Sequence, residues 1–281
     1  LGTAISDLAL PIVAVDLLGA TSLGTGMLGA ASTAAYLVIG LQAGVWIDRL
    51  PRRPFLLLSD AVRAALLLAI PILYAANVLT LPLLIAIQIG IGTAGTFFNL
   101  AWPAYLPRLA TGDVLLRLNA RLALLGEVSG LLGPGIAGAL ISIVKAPFAV
   151  LIDALSFVVS YVSLAAIRTP EPPRARRSGL TVSQELRDGV RAVWRRPTLR
   201  IITIEAINGN VAFAIMIGQS VIYQRLDLGF EPALIGAVAS IGFFGGAIGS
   251  QLAPRWLKRF GFGPLILWSA IAFGKIGRAH V

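Results

Sequence analysis

Uncharged apolar runs, each long enough to cross a bilayer, alternate along this chain with short loops that carry nearly all of its charge. Met27 to Ile47 contains no charged residue, and as a helix rising 1.5 Å per residue it reaches about 30 Å, the depth of a hydrocarbon core. A first span runs from Leu1 to about Leu18 and holds Asp7 and Pro11, with a short loop from Gly19 to Thr25. A third begins at Pro54 and ends near Ala76. The uncharged stretch from Ala64 to Leu106 is too long for one helix, and Asn77 and Pro82 divide it, so a fourth span covers about Leu81 to Trp102. The fifth runs from about Leu122 to Val144, and after the turn Lys145-Ala-Pro147 the sixth ends near Ile167.

The pattern changes at Arg168. From there to Arg200 the chain is rich in proline and arginine, then amphipathic from Val182 to Trp194, with Leu186, Val190, Val193 and Trp194 on one helical face. This predicts a cytoplasmic linker whose helix lies at the lipid headgroups, or alternatively binds a partner. Spans seven and eight follow, Ile201 to about Gln224 and Pro232 to about Pro254, whereas Gly261 to Gly274 is apolar but too short to cross. The expected architecture is an all-α integral membrane bundle: a six-helix unit over 1–167, a basic linker over 168–200 and a partial second unit over 201–273. Residues 276–281 read as translated sequencing adapter and are expected to be non-native. Leu1 follows no initiator Met and starts no signal peptide, so the upstream turn of the first span is expected to precede it.

Composition sharpens this. Hydrophobic residues make up 57% and charged residues 13%, and the mean hydropathy is +0.85, values that suit lipid as the solvent. The net charge of +10 could suggest nucleic acid, but its distribution argues otherwise. The 23 Lys and Arg fall mainly in Arg49–Arg63, Arg108–Arg121, Arg168–Arg200 and Arg255–Arg259, after every second span. That is the positive-inside pattern of a multi-pass protein. Only Lys145 and Arg225 lie in the opposite loops. There is no Cys, and the one histidine, His280, lies in the terminal tail. No thiolate or histidine metal site is expected, and no cofactor. No Walker loop, nucleophile elbow or zinc-binding motif is present, so no enzyme chemistry is visible.

Two motifs carry a resemblance. Gly44-Val-Trp46-Ile-Asp48-Arg49-Leu-Pro51-Arg52-Arg53 lies between spans two and three. It resembles the corresponding loop of the major facilitator superfamily, G-x-L-a-D-r-x-G-r-[rk], with Gly44, Asp48, Arg49, Arg52 and Arg53 at matching positions. Trp46 stands for the usual Leu and Pro51 for the second Gly. In that family the acid and the arginines form a charge-and-helix-end latch on the cytoplasmic side, the helix end faced by the Asp lying mainly in the second half. Gly249 to Arg259 is a worn copy, glycine first and a basic pair last, in the corresponding loop of the second unit. In span five, Gly126-Glu127-Val-Ser129-Gly130-Leu-Leu-Gly133-Pro134-Gly135-Ile-Ala137-Gly138 is similar to the Gly-Pro motif of the family's exporters. The resemblance implies twelve helices, about eight of them complete here, and an exporter of the bacterial drug-efflux, drug:proton antiporter-like branch. It also implies a multi-pass protein of the bacterial cytoplasmic membrane, monomeric, with protons as coupling ion and small amphipathic compounds as substrates. A facilitator-type importer on the same fold, or a membrane-bound enzyme or scaffold, is the alternative.

Charges inside spans are costly, roughly 3 kcal/mol each on insertion scales, and are the candidates for coupling. Asp7 either faces a central cavity and carries protons or pairs with a basic loop. Glu127, just after Arg121, either pairs or carries protons. Asp60 and Arg63, three apart, share one helix face and either neutralise each other or tie Arg63 to the latch. Asp153 is expected near the start of its helix. The family's coupled members often carry an Arg in span four; here that span offers only Gln88.

Overall fold

The computed structural model describes residues 2–167, 182–261, 263–265 and 267–268. The linker segment 168–181 and the tail 276–281 fall outside the described residues. Everything described is helix or short turn. In order the helices are α1 (Gly2–Ile12), α2 (Ser22–Arg49), α3 (Arg52–Ala75), α4 (Leu81–Leu109), α5 (Gly112–Val144), α6 (Ala146–Ala166), α7 (Val182–Arg195), α8 (Pro197–Ile222) and α9 (Pro232–Phe260).

Among the described residues, α2 to α6 are each long and apolar enough to cross a membrane. Their outward faces bear large uncovered side chains: Ile143 is 80% exposed, Leu23 74% and Val38 73%. A water-soluble protein would not carry so much contiguous apolar surface, but a bilayer solvates it at no cost. With α1 to α6 packed into one bundle and this surface outside, the chain is an all-α membrane protein.

The packing is that of a bundle, with α3 against α4 and α6, α2 against α4, and α1 wedged between α5 and α6. One apolar core surrounds α1, gathering Ile5, Val13, Leu67, Ile70, Val150 and Ile141; a smaller one near the arginine-rich loops joins Ile47, Leu56, Tyr105 and Leu164. The second unit docks through α9 on α5 and α8 on α2.

Sequence expectation and structure differ at several places. α5 starts at Gly112 rather than near Leu122, so Arg117 and Arg121 are helical and not loop. Apolar helices project past the hydrocarbon when their ends carry charge that water can solvate. α1 is helical only to Ile12, and the chain then widens into a π-helical turn, Val13–Leu17. α8 ends the same way, in a π turn over Tyr223–Asp227.

The two π turns correspond. Leu18 N–H donates to Val13 O at 3.2 Å and Ala20 N–H to Ala14 O at 2.8 Å, while Leu228 donates to Tyr223 at 3.0 Å and Phe230 to Gln224 at 2.8 Å. Gly19 and Gly229 then turn the chain with φ +61° and +67°, left-handed values that glycine takes without strain. The helices that follow start at equivalent residues, Ser22 and Pro232. This register places Trp256, Lys258 and Arg259 opposite Trp46, Asp48 and Arg49. Gly249 therefore does not match Gly44, as its spacing from the basic pair suggested, and the acid's counterpart is a lysine.

Candidate functional site

A cavity of about 490 Å³ opens between the two units. Its walls come from α1, α2, α4 and α5 on one side and from the end of α8, its π turn and α9 on the other. Asp7 lines it and is exposed only in that sense, because the residues flanking it along α1, Ser6 and Leu8, are buried. Asp7 lies roughly 15 Å along the chain's helical path from the end of the π turn at Leu17, about half the depth of a hydrocarbon core. Pro11, four residues on, also lines the cavity and has no N–H to offer the Asp7 carbonyl. Of the other sequence candidates, Glu127 is exposed on α5 and is not part of the cavity wall.

Behind Asp7 lies a polar stripe on α6. Asp153, only 1% exposed, accepts a hydrogen bond from Ser6 Oγ at 2.5 Å and another from Ser156 Oγ at 3.1 Å. Its place is eight residues into α6, so it does not serve the helix start; its partner is α1. One turn further, Ser160 Oγ donates to Asp60 Oδ2 at 2.6 Å. Asp60 takes Arg63 Nη2 on its other oxygen at 2.8 Å, and the Arg63 guanidinium lies over the Phe98 and Phe157 rings, 4.6 and 4.2 Å from their centres. Arg63 therefore pairs within α3 and is clamped by aromatic faces from α4 and α6, an arrangement that lowers the cost of an ion pair in lipid. Among the described residues no group of three or more acids, histidines or cysteines is placed to hold a metal.

At the arginine-rich end, Gly44, Asp48 and Arg49 close α2, and Arg52 and Arg53 open α3. Arg52 is buried, whereas Asp48 and Arg49 are exposed. Arg53 reaches across to the last carbonyls of α6, with Nη2 donating to Ala165 O at 2.7 Å and Nε to Leu164 O at 3.4 Å. A cation on the last carbonyls of a helix is favoured by charge and by hydrogen bonding alike. Trp46 stacks on Phe97 of α4 at 6.1 Å, and Phe97 on Phe55 at 5.5 Å. Trp46, one of the two departures from the family pattern, thus joins an aromatic stack that ties three helices together.

Gly130, Pro134 and Gly138, one turn apart, form the α5 face that meets α9. A side chain at Gly138 would strike the Pro232 carbonyl, one at Gly236 would strike the Pro134 carbonyl, and one at Gly130 would press on the Phe243 ring. Gly135 N–H donates to Ser240 Oγ of α9 at 2.9 Å. Gly133, Ala137 and Ile141 are the buried stripe beside it. At the opposite end from the arginine-rich loops, Arg225 in the second π turn grips Asp16 in the first, with Nε 3.0 Å from Oδ1 and Nη2 2.8 Å from Oδ2. Its Nη1 also donates to Phe230 O at 3.1 Å. The bonds to Asp16 raise the Arg225 pKa further above its already high value. Sequence reasoning missed Asp16–Arg225, Ser240 and Asp153–Ser6 alike, since each joins residues more than a hundred positions apart.

Residues 1–277 match the family model of the Major Facilitator Superfamily. The chain is 28% identical to the multidrug efflux pump Tap of Mycolicibacterium fortuitum, over 92% of its own length and 65% of the pump's. It is 27% identical to Tap of Mycobacterium tuberculosis, over 90% and 64%. To the uncharacterized MFS-type transporter YvqJ of Bacillus subtilis it is 23% identical, over 91% and 67%. The chain thus spans just under two thirds of the length of either Tap protein.

Proposed function

The chain belongs to the major facilitator superfamily, and from that premise we propose that it is part of a secondary active exporter of small amphipathic compounds. One observation carries the reading: a cavity of drug-like size between the two units, mostly apolar, with Asp7 as the one carboxylate on its wall among the described residues. The relatives' names, efflux pump and transporter, point the same way, and none is that of an enzyme.

The proposed mechanism is alternating access, residues 1–167 rocking against 201–273 and the helices that complete the second half, with 168–200 as the cytoplasmic connection. On the positive-inside reading the arginine-rich loops face the cytoplasm of a bacterial cell, and the Asp16–Arg225 end faces out. The contacts between units run from the Asp16–Arg225 pair at that outer end to Phe243 against Gly130 on the cavity wall, which fits a state closed to the outside. Asp7 is the proposed coupling group: a proton arriving from outside neutralises it, and its loss on the inner side restores the charge for the next cycle. Asp48, Arg49, Arg52 and Arg53 form the inner latch, and Arg53 on the α6 carbonyls is one of its contacts within the first unit. The transporter is proposed to work as a monomer.

The test is efflux from energised cells expressing the full-length protein. Asp7→Asn is expected to abolish drug export at unchanged protein level. Export at the parental rate would take Asp7 out of the mechanism.

A further inference from the structure

We propose that Asp153 is a second proton-carrying carboxyl group of this transporter, held off the central cavity on α6 and reached from it through the hydroxyl of Ser6. The proposal rests on the proton-coupled exporter reading and extends it, giving the proton a stop inside the first unit.

Ser6 is the link. It lines the cavity beside Asp7, and its Oγ donates to Asp153 Oδ2 at 2.5 Å. Asp153 is buried and forms no part of the cavity wall. On its other side the α1 backbone closes in, because a side chain at Gly2 would collide with both Asp153 Oδ1 and Ser156 Oγ. The charged groups within electrostatic reach are Asp7 on α1 and Arg63 on α3, and Arg63 is already bound to Asp60. The charged residues of α5, from Asp113 to Glu127, are all exposed and face elsewhere. A carboxyl group in this place is costly, and an asparagine would pin α1 to α6 as well. What the acid adds is a second protonation state, and the surroundings serve both states. Ionised, the carboxylate takes a hydroxyl donor on each oxygen, Ser6 on Oδ2 and Ser156 on Oδ1 at 3.1 Å. Protonated at Oδ2, it donates back to Ser6 Oγ, and the Ser156 proton can turn to the Asp153 carbonyl at 2.8 Å. In the transfer Ser6 Oγ takes a proton from Asp7, or from a water in the cavity, while its own passes to Asp153 Oδ2. Two O–H bonds break and two form, and the serine ends as it began. Asp7 thereby recovers its charge before the proton has left the protein.

The experiment is infrared spectroscopy of the full-length protein in lipid nanodiscs, reading the C=O stretch of protonated carboxyl groups as pH is lowered and as H2O is exchanged for D2O. Two bands from carboxyls shielded from bulk water are expected, one removed by Asp7→Asn and the other by Asp153→Asn. Ser6→Ala should slow the deuterium shift of the Asp153 band by about tenfold, the worth of one hydrogen bond in the transfer. Ser6→Thr, which keeps the hydroxyl, should restore it. A purely structural role for Asp153 predicts no titrating band and no dependence on Ser6. Absence of the second band, or an exchange rate that ignores Ser6→Ala, overturns the proposal and leaves the exporter reading standing. In energised cells Asp153→Asn should lower ethidium export at unchanged protein level. Export at the parental rate in that variant alone overturns the proposal, and parental export in Asp7→Asn as well overturns the coupled reading with it. If Asp153→Asn fails to fold, Asp153→Glu assigns the band by moving it, and an unmoved band overturns the proposal.

Discussion

At the scale of single residues, the membrane interior is where the chain departs from its apolar pattern, and each departure is compensated. Asp60 is wholly buried, with Arg63 on one oxygen and Ser160 on the other. Removing one member of such a pair leaves an unmatched charge, whereas removing both leaves a dry contact. Arg63→Met is therefore expected to destabilise the full-length protein by about 3–5 kcal/mol, and Asp60→Leu with Arg63→Met to recover most of that loss. Thermal unfolding in detergent measures both; a double variant no more stable than the single one refutes the compensation. The pair itself was legible, because three positions on a helix bring two side chains together. Its surroundings were not. Phe98, Phe157 and Ser160 come from helices whose rotation about their own axes the sequence does not state. Asp153 shows the same limit: its distance from the outer loop suggested a helix-start role, but its partner Ser6 lies 147 residues away.

At the scale of helices, length and charge placement were enough to locate α3 and α6 to within a few residues, since hydrocarbon thickness sets one end and solvated charge the other, whereas α2 starts at Ser22 rather than Met27 and α4 runs on from Trp102 to Leu109. The start of α5 was misjudged for the same reason, as charge marks where lipid ends and not where a helix does. The glycines of α5 announced a close contact without naming its partner. That partner is α9, and on both sides the obstacle is backbone, which cannot rotate out of the way as a side chain can. Gly138→Ala and Gly236→Ala are thus expected to cost about 1–3 kcal/mol each through overpacking and to lower export in proportion. Gly95→Ala on α4, where an added Cβ meets nothing within 4 Å, should be neutral or slightly stabilising. Melting temperatures of the three variants check this, and similar values for all of them would mean that α5 and α9 separate without strain.

At the scale of the whole molecule, a repeat was legible in the loop pattern, but its register was not, because the second copy had lost the acid that anchors the motif. The structure supplies the register through the paired π turns, and these place Asp16 and Arg225 where the two units meet at the outer end. The ion pair is bidentate, yet its side chains are 29% and 28% exposed, so screening limits it to about 1 kcal/mol. That is enough to bias a two-state opening by about fivefold and too little to lock it. A chain without native cysteine in this region allows a single reporter, Thr25→Cys on the cavity wall, to be labelled from outside with an impermeant maleimide. Arg225→Asp should raise its labelling rate several-fold, Asp16→Arg should do the same, and the two together, with the charges exchanged, should bring the rate back toward the parent. Salt should raise the parental rate and lower that of the single variants, because it screens the attraction of the intact pair and the repulsion of the like-charged ones. If the exchanged pair labels as fast as either single variant, the units are held at the outer end by the α5–α9 contact alone, and Asp16–Arg225 is a surface pairing without influence on the gate.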